Sequence, residues 1–238
     1  MNLVLFDIDG TLVLTGGAGL RAMNRACAEL VGHADALSGI PVAGRTDRII
    51  LSEVVARLGR ALDAELLALL RGRYLANLRE EILAPGAPPI GEFLGPRGGV
   101  KAVMPGIREL LDALEQRPDV FLGLLTGNFE EGARIKLDHF DLWRYFRCGA
   151  YGDDAEDRNA LVPFAVERAR RCGLPEIAAG KVFVVGDTPH DIACARAAGA
   201  TPVGVATGGF TVDQLAATGA DIVFKDLGDR EAFLQLLD

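Results

Sequence analysis

Short, continuously apolar runs alternate with helical patterning along most of this chain. Leu3-Val4-Leu5-Phe6 is apolar at every position, as suits a short strand buried on both faces of a parallel sheet. From Leu20 to about Leu83 the apolar positions recur every three or four residues. Ala22, Ala26 and Leu30 form one stripe, and Ile49, Val54, Leu58, Leu62, Leu66, Leu69 and Leu70 continue the theme. No comparable strand pattern interrupts that stretch, so it predicts a mainly helical insert placed straight after the first strand. Residues 84–106 are rich in proline and glycine and read as the return from it, with room for a short hairpin or flap.

Beyond residue 106 the chain alternates again. Strands are predicted at Val120 to Leu125, Arg147 to Tyr151 (weak), Val182 to Val185, Pro202 to Val205 and Asp221 to Phe224. Helices are predicted from Ile107 to Gln116, Glu130 to Phe140, Asn159 to Cys172 and Asp191 to Ala198, with further helices between and after the last two strands. This alternation predicts an α/β fold with a doubly wound, mostly parallel, Rossmann-like sheet. Residues 1–15 and 98–238 are assigned to the α/β core, and 16–97 to the helical insert.

Composition narrows the possibilities. Half of the 238 residues are hydrophobic and 24% are charged, enough for a sizeable core. The formal charge of −8 argues against non-specific nucleic-acid binding, which needs a basic surface. It would also repel an anionic substrate unless a metal ion and local basic groups reverse the field. Cys27, Cys148, Cys172 and Cys194 are scattered, without a Cys-x-x-Cys pair or histidines at zinc spacing, and are expected to be buried free thiols in a reducing cytosol. Asp7 interrupts the only apolar run near the start, which carries no basic flank, so no signal peptide is expected. No uncharged apolar stretch is long enough to span a bilayer. A cytoplasmic protein, monomeric or homodimeric and without a membrane partner, is the expectation.

Three strand ends carry the candidate chemistry, because ligands of open α/β sheets sit just past the carboxyl ends of the strands. The first run stops at Asp7-Ile8-Asp9-Gly10-Thr11. Asp7 would leave the strand with its carboxylate facing the crevice, and Asp9 could lean back over the same spot. That provides one carboxylate to attack and a second to move protons; an Asp-Gly turn that merely ends a strand is the plain alternative. The second run ends at Thr126-Gly127-Asn128, where a hydroxyl and exposed amides before a helix suit phosphate oxygens, or simply cap the helix. The third ends at Gly186-Asp187, with His190 and Asp191 close behind. Asp187 occupies a metal-ligand position. Asp191 is either a helix-capping acid or a group that holds a metal-bound water. His190 is read as surface or structural.

Phe6-Asp7-Ile8-Asp9-Gly10-Thr11-Leu12 resembles the first motif of the haloacid dehalogenase superfamily in its phosphatase form. The chain looks most like the branch of phosphoglycolate phosphatases and β-phosphoglucomutases. Thr126-Gly127-Asn128 resembles the second motif, and the stretch from Val184 to Asp191 matches the fourth closely. The resemblance implies that the helical insert is a mobile cap closing over the site. It implies Mg²⁺ held by Asp7, the Asp9 carbonyl and Asp187, an oxygen shell that this cation favours. Asp7 would be the nucleophile that becomes an aspartyl-phosphate, and Asp9 the acid and base. Thr126, Gly127 and Asn128 would hold phosphate and substrate.

The third motif is irregular. The branch usually places a lysine followed by proline before the helix preceding the fourth motif, and this chain reads Gly152-Asp153-Asp154-Ala155-Glu156-Asp157-Arg158. Arg158 is the only basic residue there and is assigned as the cation; its plain alternative is pairing with the neighbouring acids. Lys136, inside a helix, and Lys181, at a strand start taken to lie on the opposite edge, fit that role less well. In the insert, Gly44-Arg45-Thr46-Asp47 breaks the helical pattern. Thr46 or Asp47 is expected to cap the next helix, and Arg45 either faces the substrate, as the resemblance to related caps implies, or is a solvated or structural arginine.

The function implied is a Mg²⁺-dependent phosphatase acting on a small phosphorylated metabolite, phosphoglycolate-like or a sugar phosphate. A sugar phosphomutase shares every core residue and is the nearest rival. A haloalkanoate dehalogenase needs neither Asp9 nor a metal. A non-catalytic phosphate-binding module would be expected to have lost Asp7, Asp9 or Asp187, and all three are present.

Overall fold

The computed structural model describes residues 1–86, 99–174 and 181–238. In chain order the elements are β1 (Asn2–Phe6), β2 (Val13–Thr15), α1 (Ala18–Val31), α2 (Asp47–Arg57), α3 (Ala64–Glu81), β3 (Lys101–Val103), α4 (Ile107–Glu115), β4 (Val120–Leu125) and α5 (Glu130–His139). There follow β5 (Cys148–Ala150), α6 (Leu161–Arg171), β6 (Val182–Gly186), α7 (Pro189–Ala197), β7 (Thr201–Val205), α8 (Val212–Ala217), β8 (Ile222–Phe224) and α9 (Arg230–Gln235).

Six strands form one sheet in the order β5-β4-β1-β6-β7-β8, and every pairing between neighbours is parallel. The expected α/β architecture is therefore present. The apolar runs became inner strands because both of their faces are covered. Along β1, Val4 and Phe6 enter one cluster while Leu3 and Leu5 enter the other. β4 divides in the same way, with Leu122 and Leu124 on one face and Phe121 and Leu125 on the other. Helix α4 seals the first cluster with Ile107, Leu110, Leu111 and Leu114, an i, i+3, i+4, i+7 stripe. α6 seals the second with Leu161, Val162, Ala165 and Ala169.

The connections set the place of the site. From β1 the chain reaches β4 and β5 on one side, then returns to β6 on the other side of β1. Strand order reverses at β1, so the carboxyl ends of β4, β1 and β6 flank an open crevice.

Helices α1 to α3 have a core of their own, with Ala22, Met23 and Ala26 of α1 packed against Leu70, Tyr74 and Leu78 of α3. Arg21 and Arg25 of α1 pair with Glu81 of α3 at 2.8 and 2.9 Å. Phe129, from the loop after β4, is buried in this helical cluster, its ring 6.2 Å from that of Tyr74.

Several expectations change. β2 and β3 form an antiparallel pair, Val13 opposite Val103 and Thr15 opposite Lys101, that was not anticipated. A three-residue strand beside glycines carries no periodic signal, and its partner lies far away in sequence. Leu69 is 54% exposed and does not belong to the apolar stripe; the buried face of α3 runs through Leu66, Leu70 and Tyr74 instead. All four cysteines are free, but Cys172 is exposed and Cys148 only partly covered. α7 begins at Pro189, ahead of Asp191, and α6 begins at Leu161 after a 3-10 turn over Arg158–Ala160. Lys181 precedes β6, an inner strand beside β1, and lies at its amino end, away from the crevice. The boundary expected between 97 and 98, and any flap within 87–98, lie outside the described residues.

Candidate active site

A cavity of about 370 Å³ opens over the carboxyl ends of the central strands. Its floor includes Asp7, Asp9, Thr126, Asn128, Lys136 and Arg158, and Leu14, Leu20, Met23, Val42, Ile50 and Tyr74 contribute an apolar wall. Floor and wall come from different layers: the floor from the sheet and its helices, most of the wall from the helical segment.

Asp7 follows β1 directly, and its backbone N–H still bonds Val185 O at 2.9 Å, so the strand ladder fixes where the carboxylate stands. It is 4% exposed. Arg158 Nη2 lies 3.0 Å from Asp7 Oδ1. The same guanidinium bonds Asp191 Oδ1 and reaches Gly44 O at 3.0 Å and Leu125 O at 3.4 Å. The acids beside Arg158 in sequence have other partners. Asp153 pairs with Arg71, Asp154 with Arg168 and Glu156 with Arg48, while Asp157 accepts from the N–H of Asn159.

Asp187, at the end of β6, accepts a hydrogen bond from Thr11 Oγ1 at 3.0 Å. Gly10 brings the two strand ends together: at φ +87°, a Cβ there would stand 2.5 Å from Asp187 Oδ2. Asp191 is the N3 residue of α7, and its Oδ2 accepts from Thr188 N at 3.0 Å and Thr188 Oγ1 at 2.7 Å. That is a capping box. Asp191 thus has a capping role and also braces Arg158.

Oxygens of Asp7, Asp187 and Asp191 come within 4.8 Å of one another, all buried. Burial raises the Asp7 carboxyl to about 6 against the pull of Arg158, with Asp191 and Asp9 adding repulsion. Burial, then Asp191 and Asp7, push Asp187 well above the usual carboxylate range. Burial opposes the charge on Arg158, yet Asp191 and Asp7 hold its guanidinium above its ordinary value. One guanidinium among three buried carboxylates leaves an excess of negative charge. A donor set of this kind fits a hard divalent cation.

The remaining floor residues form a hydrogen-bonded group. Asp9 Oδ2 accepts from Lys136 Nζ at 2.6 Å and from Asn128 Nδ2 at 2.9 Å. Lys136 also donates to Asn128 Oδ1 at 2.6 Å. Asn128 Nδ2 donates in turn to Thr126 Oγ1 at 2.7 Å. Thr126 is wholly buried at the end of β4.

Residues 44–47 come down onto these loops. Asp47 N donates to Gly127 O at 2.7 Å, and Asp47 Oδ2 accepts from Phe129 N at 2.9 Å. Gly127 permits the approach, since a Cβ there would lie 2.2 Å from Arg45 O. Thr46 is the N-cap of α2, accepting from Ile49 N at 3.2 Å. Arg45 lines the cavity but is bonded to Glu53 at 2.7 Å and Pro41 O at 2.9 Å.

Asp7, Asp9, Thr126, Gly127, Asn128 and Asp187 thus border one cavity, Asp191 braces it, and Arg158 reaches it from the third region, while His190 is exposed and does not line it. Lys136, set aside as the cation for Asp7, indeed does not pair with Asp7, but it is 4% exposed and lies on the floor beside Asp9, a place not anticipated from the sequence. A signal existed, because Lys136 stands between Ala133 and Leu137 on the buried stripe of α5. Asp47 was anticipated only as a cap, and nothing local indicated its bond to Phe129. Thr11 was quoted in the first motif without a role.

Residues 1–199 match the family model of haloacid dehalogenase-like hydrolases. The chain is 31% identical over 240 residues to a phosphoglycolate phosphatase of Rhodospirillum rubrum, covering 98% of this chain and 91% of that one. It is 26% identical over 249 residues to a phosphoglycolate phosphatase of Salmonella typhimurium, covering 95% and 89%. Among solved structures it is similar to a hydrolase from Pseudomonas syringae, with a TM-score of 0.66, 21% identity and coverage of 100% and 99%. That last likeness concerns the fold.

Proposed function

We propose, from the premise that this chain belongs to the haloacid dehalogenase-like hydrolases and is a phosphatase among them, that it hydrolyses a small phosphorylated metabolite through an aspartyl-phosphate on Asp7. The observation that carries this reading is the buried Asp7 carboxylate on the cavity floor, 3.0 Å from Arg158 and beside Asp187. A nucleophile needs a fixed cation next to it when the incoming group is itself an anion. That relatives are named phosphoglycolate phosphatases supports phosphoglycolate or a similar small monoester as the substrate of this chain, with a sugar phosphate as the second candidate.

Asp7, Asp187 and the Asp9 carbonyl would hold Mg²⁺. When bound, the ion supplies charge that screens the carboxylates and the phosphoryl group. The chain's own groups do the rest. An Asp7 carboxylate oxygen forms a bond to phosphorus while the ester P–O bond breaks, and the departing oxygen takes a proton from Asp9. Asp9, now a carboxylate, removes a proton from water, which attacks phosphorus and releases Asp7 and inorganic phosphate. Thr126, the Gly127 amide and Arg158 hold phosphoryl oxygens, with Asn128 toward the substrate. Asp191 braces Arg158 from behind. Residues 16–97 act as the cap that excludes water, and Arg45 exchanges Glu53 for substrate.

The test is a phosphatase screen over phosphorylated metabolites with Mg²⁺, wild type against Asp7→Asn. Release of phosphate from one of them by wild type alone supports the reading. Equal activity in Asp7→Asn overturns it.

A further inference from the structure

Lys136 is a buried lysine whose charge the phosphoryl-binding cluster does not use. Its ammonium donates to Asp9 Oδ2 and to Asn128 Oδ1, both at 2.6 Å. Asn128 Nδ2 closes the ring by donating to the same Asp9 Oδ2 at 2.9 Å. One oxygen of Asp9 is therefore held by two donors from α5 and the loop before it. Its other oxygen, Oδ1, has no hydrogen-bond partner among the described residues. The Asp9 side chain is 44% exposed and borders the cavity. An isolated carboxylate at that exposure would rotate about its Cα–Cβ and Cβ–Cγ bonds. With Oδ2 tied down on two sides, rotation is suppressed and Oδ1 is left to exchange a proton.

We infer that Lys136 is a positioning residue for proton transfer to the leaving group. It acts through Asp9, by fixing Oδ2 so that Oδ1 presents the proton to the departing ester oxygen. This rests on the phosphatase reading above, in which Asp9 is the general acid. In the step itself the O–H bond of Asp9 breaks and the new O–H bond forms on the alcohol, as the P–O bond breaks and the Asp7–phosphorus bond forms. The positive charge of Lys136 then lies against the carboxylate left behind. Burying an ammonium costs free energy that an apolar residue would not. A purely structural account assigns that charge to Asp47 alone, a buried acid on which Lys136 also acts. The two accounts predict different dependence on the leaving group.

The experiment compares two esters of similar size, benzyl phosphate and p-nitrophenyl phosphate. Benzyl alcohol leaves poorly without a proton, whereas p-nitrophenolate needs none. The comparison uses kcat/KM, which reports the transfer to Asp7 before water enters. Lys136→Met is expected to lower kcat/KM for benzyl phosphate at least about tenfold, a fraction of what a general acid contributes, and for p-nitrophenyl phosphate by no more than about threefold. Lys136→Arg should recover part of the loss, because it restores a donor to Oδ2. If Lys136→Met does not fold, as judged by its melting transition, Lys136→Gln, which is uncharged and one atom too short to carry its amide to Oδ2, is read in the same way. Equal losses on both esters, or none on either, overturn the assignment. Wild-type enzyme that releases phosphate from neither these esters nor any metabolite of the screen with Mg²⁺ overturns the phosphatase reading itself, a result seen before any variant is compared.

Discussion

Arg158 Nη2 stands 3.0 Å from Asp7 Oδ1, and both side chains are 6% exposed. The guanidinium also bonds Asp191 and two backbone carbonyls, so one arginine joins Asp7, the start of α7 and the loop at Gly44. Arg158→Ala should lower kcat/KM well over tenfold in steady-state assays, consistent with losing a buried charge partner of the reacting group. Lysine at 158 should restore only part, since it cannot span these partners at once. Thermal melting should also fall, because Asp7 and Asp191 would be left buried without their cation.

Asp7→Asn keeps the shape of the side chain and removes the charge proposed to attack phosphorus. The variant should fold and lose essentially all Mg²⁺-dependent phosphatase activity. Activity within a few-fold of wild type would exclude covalent catalysis at this residue.

Chelation should abolish turnover, and Mg²⁺ should restore it. Ca²⁺ should substitute poorly, since its looser shell would misplace the nucleophile. Mg²⁺ should also raise the melting temperature of wild type, because an ion that binds only the folded state stabilises it. That shift should shrink in Asp187→Asn. Full activity after exhaustive chelation would refute the metal assignment.

Asp47 offers a pH test away from Asp7. Burial raises its carboxyl to about 6, Lys136 opposing. A carboxyl raised above its unfolded value contributes stability at low pH, and the contribution is lost as pH climbs through about 6. Asp47→Asn, which keeps an oxygen for the Phe129 N–H, should therefore be the more stable protein at about pH 8, by on the order of 1 kcal/mol. The difference should vanish below about pH 3, under the unfolded value, where the acid is neutral in both states. Urea titrations at the two pH values decide it; a gap independent of pH would contradict the buried-acid account.

Gly127→Ala should separate folding from closure. The added Cβ would collide with Arg45 O, 2.2 Å away, while the sheet beneath is untouched. The expected outcome is a folded protein with a raised KM and lowered kcat, read by kinetics beside circular dichroism.

The inner strands β1, β4 and β6 were legible because a strand covered on both faces needs apolar residues at every position, and such runs are local. The residues at their ends were legible for the same reason: a polar group right after a buried strand has only the crevice to face. α4 and α5 were readable from their stripes. Partners distant in sequence were not. Lys136 could be placed on the buried side of α5, but its choice of Asp9, 127 positions away, follows from how α5 packs beside β1. Thr46 and Asp47 were equal candidates for one cap. The structure gives the cap to Thr46 and spends Asp47 on Phe129, 82 residues away, because the helical segment is seated on the β4 loop. Arg158 had four acids beside it in sequence, and each is bonded elsewhere. Its burial carries the guanidinium to Asp7 instead, because the sheet brings the ends of β1 and β6 together there and leaves two carboxylates in need of a cation.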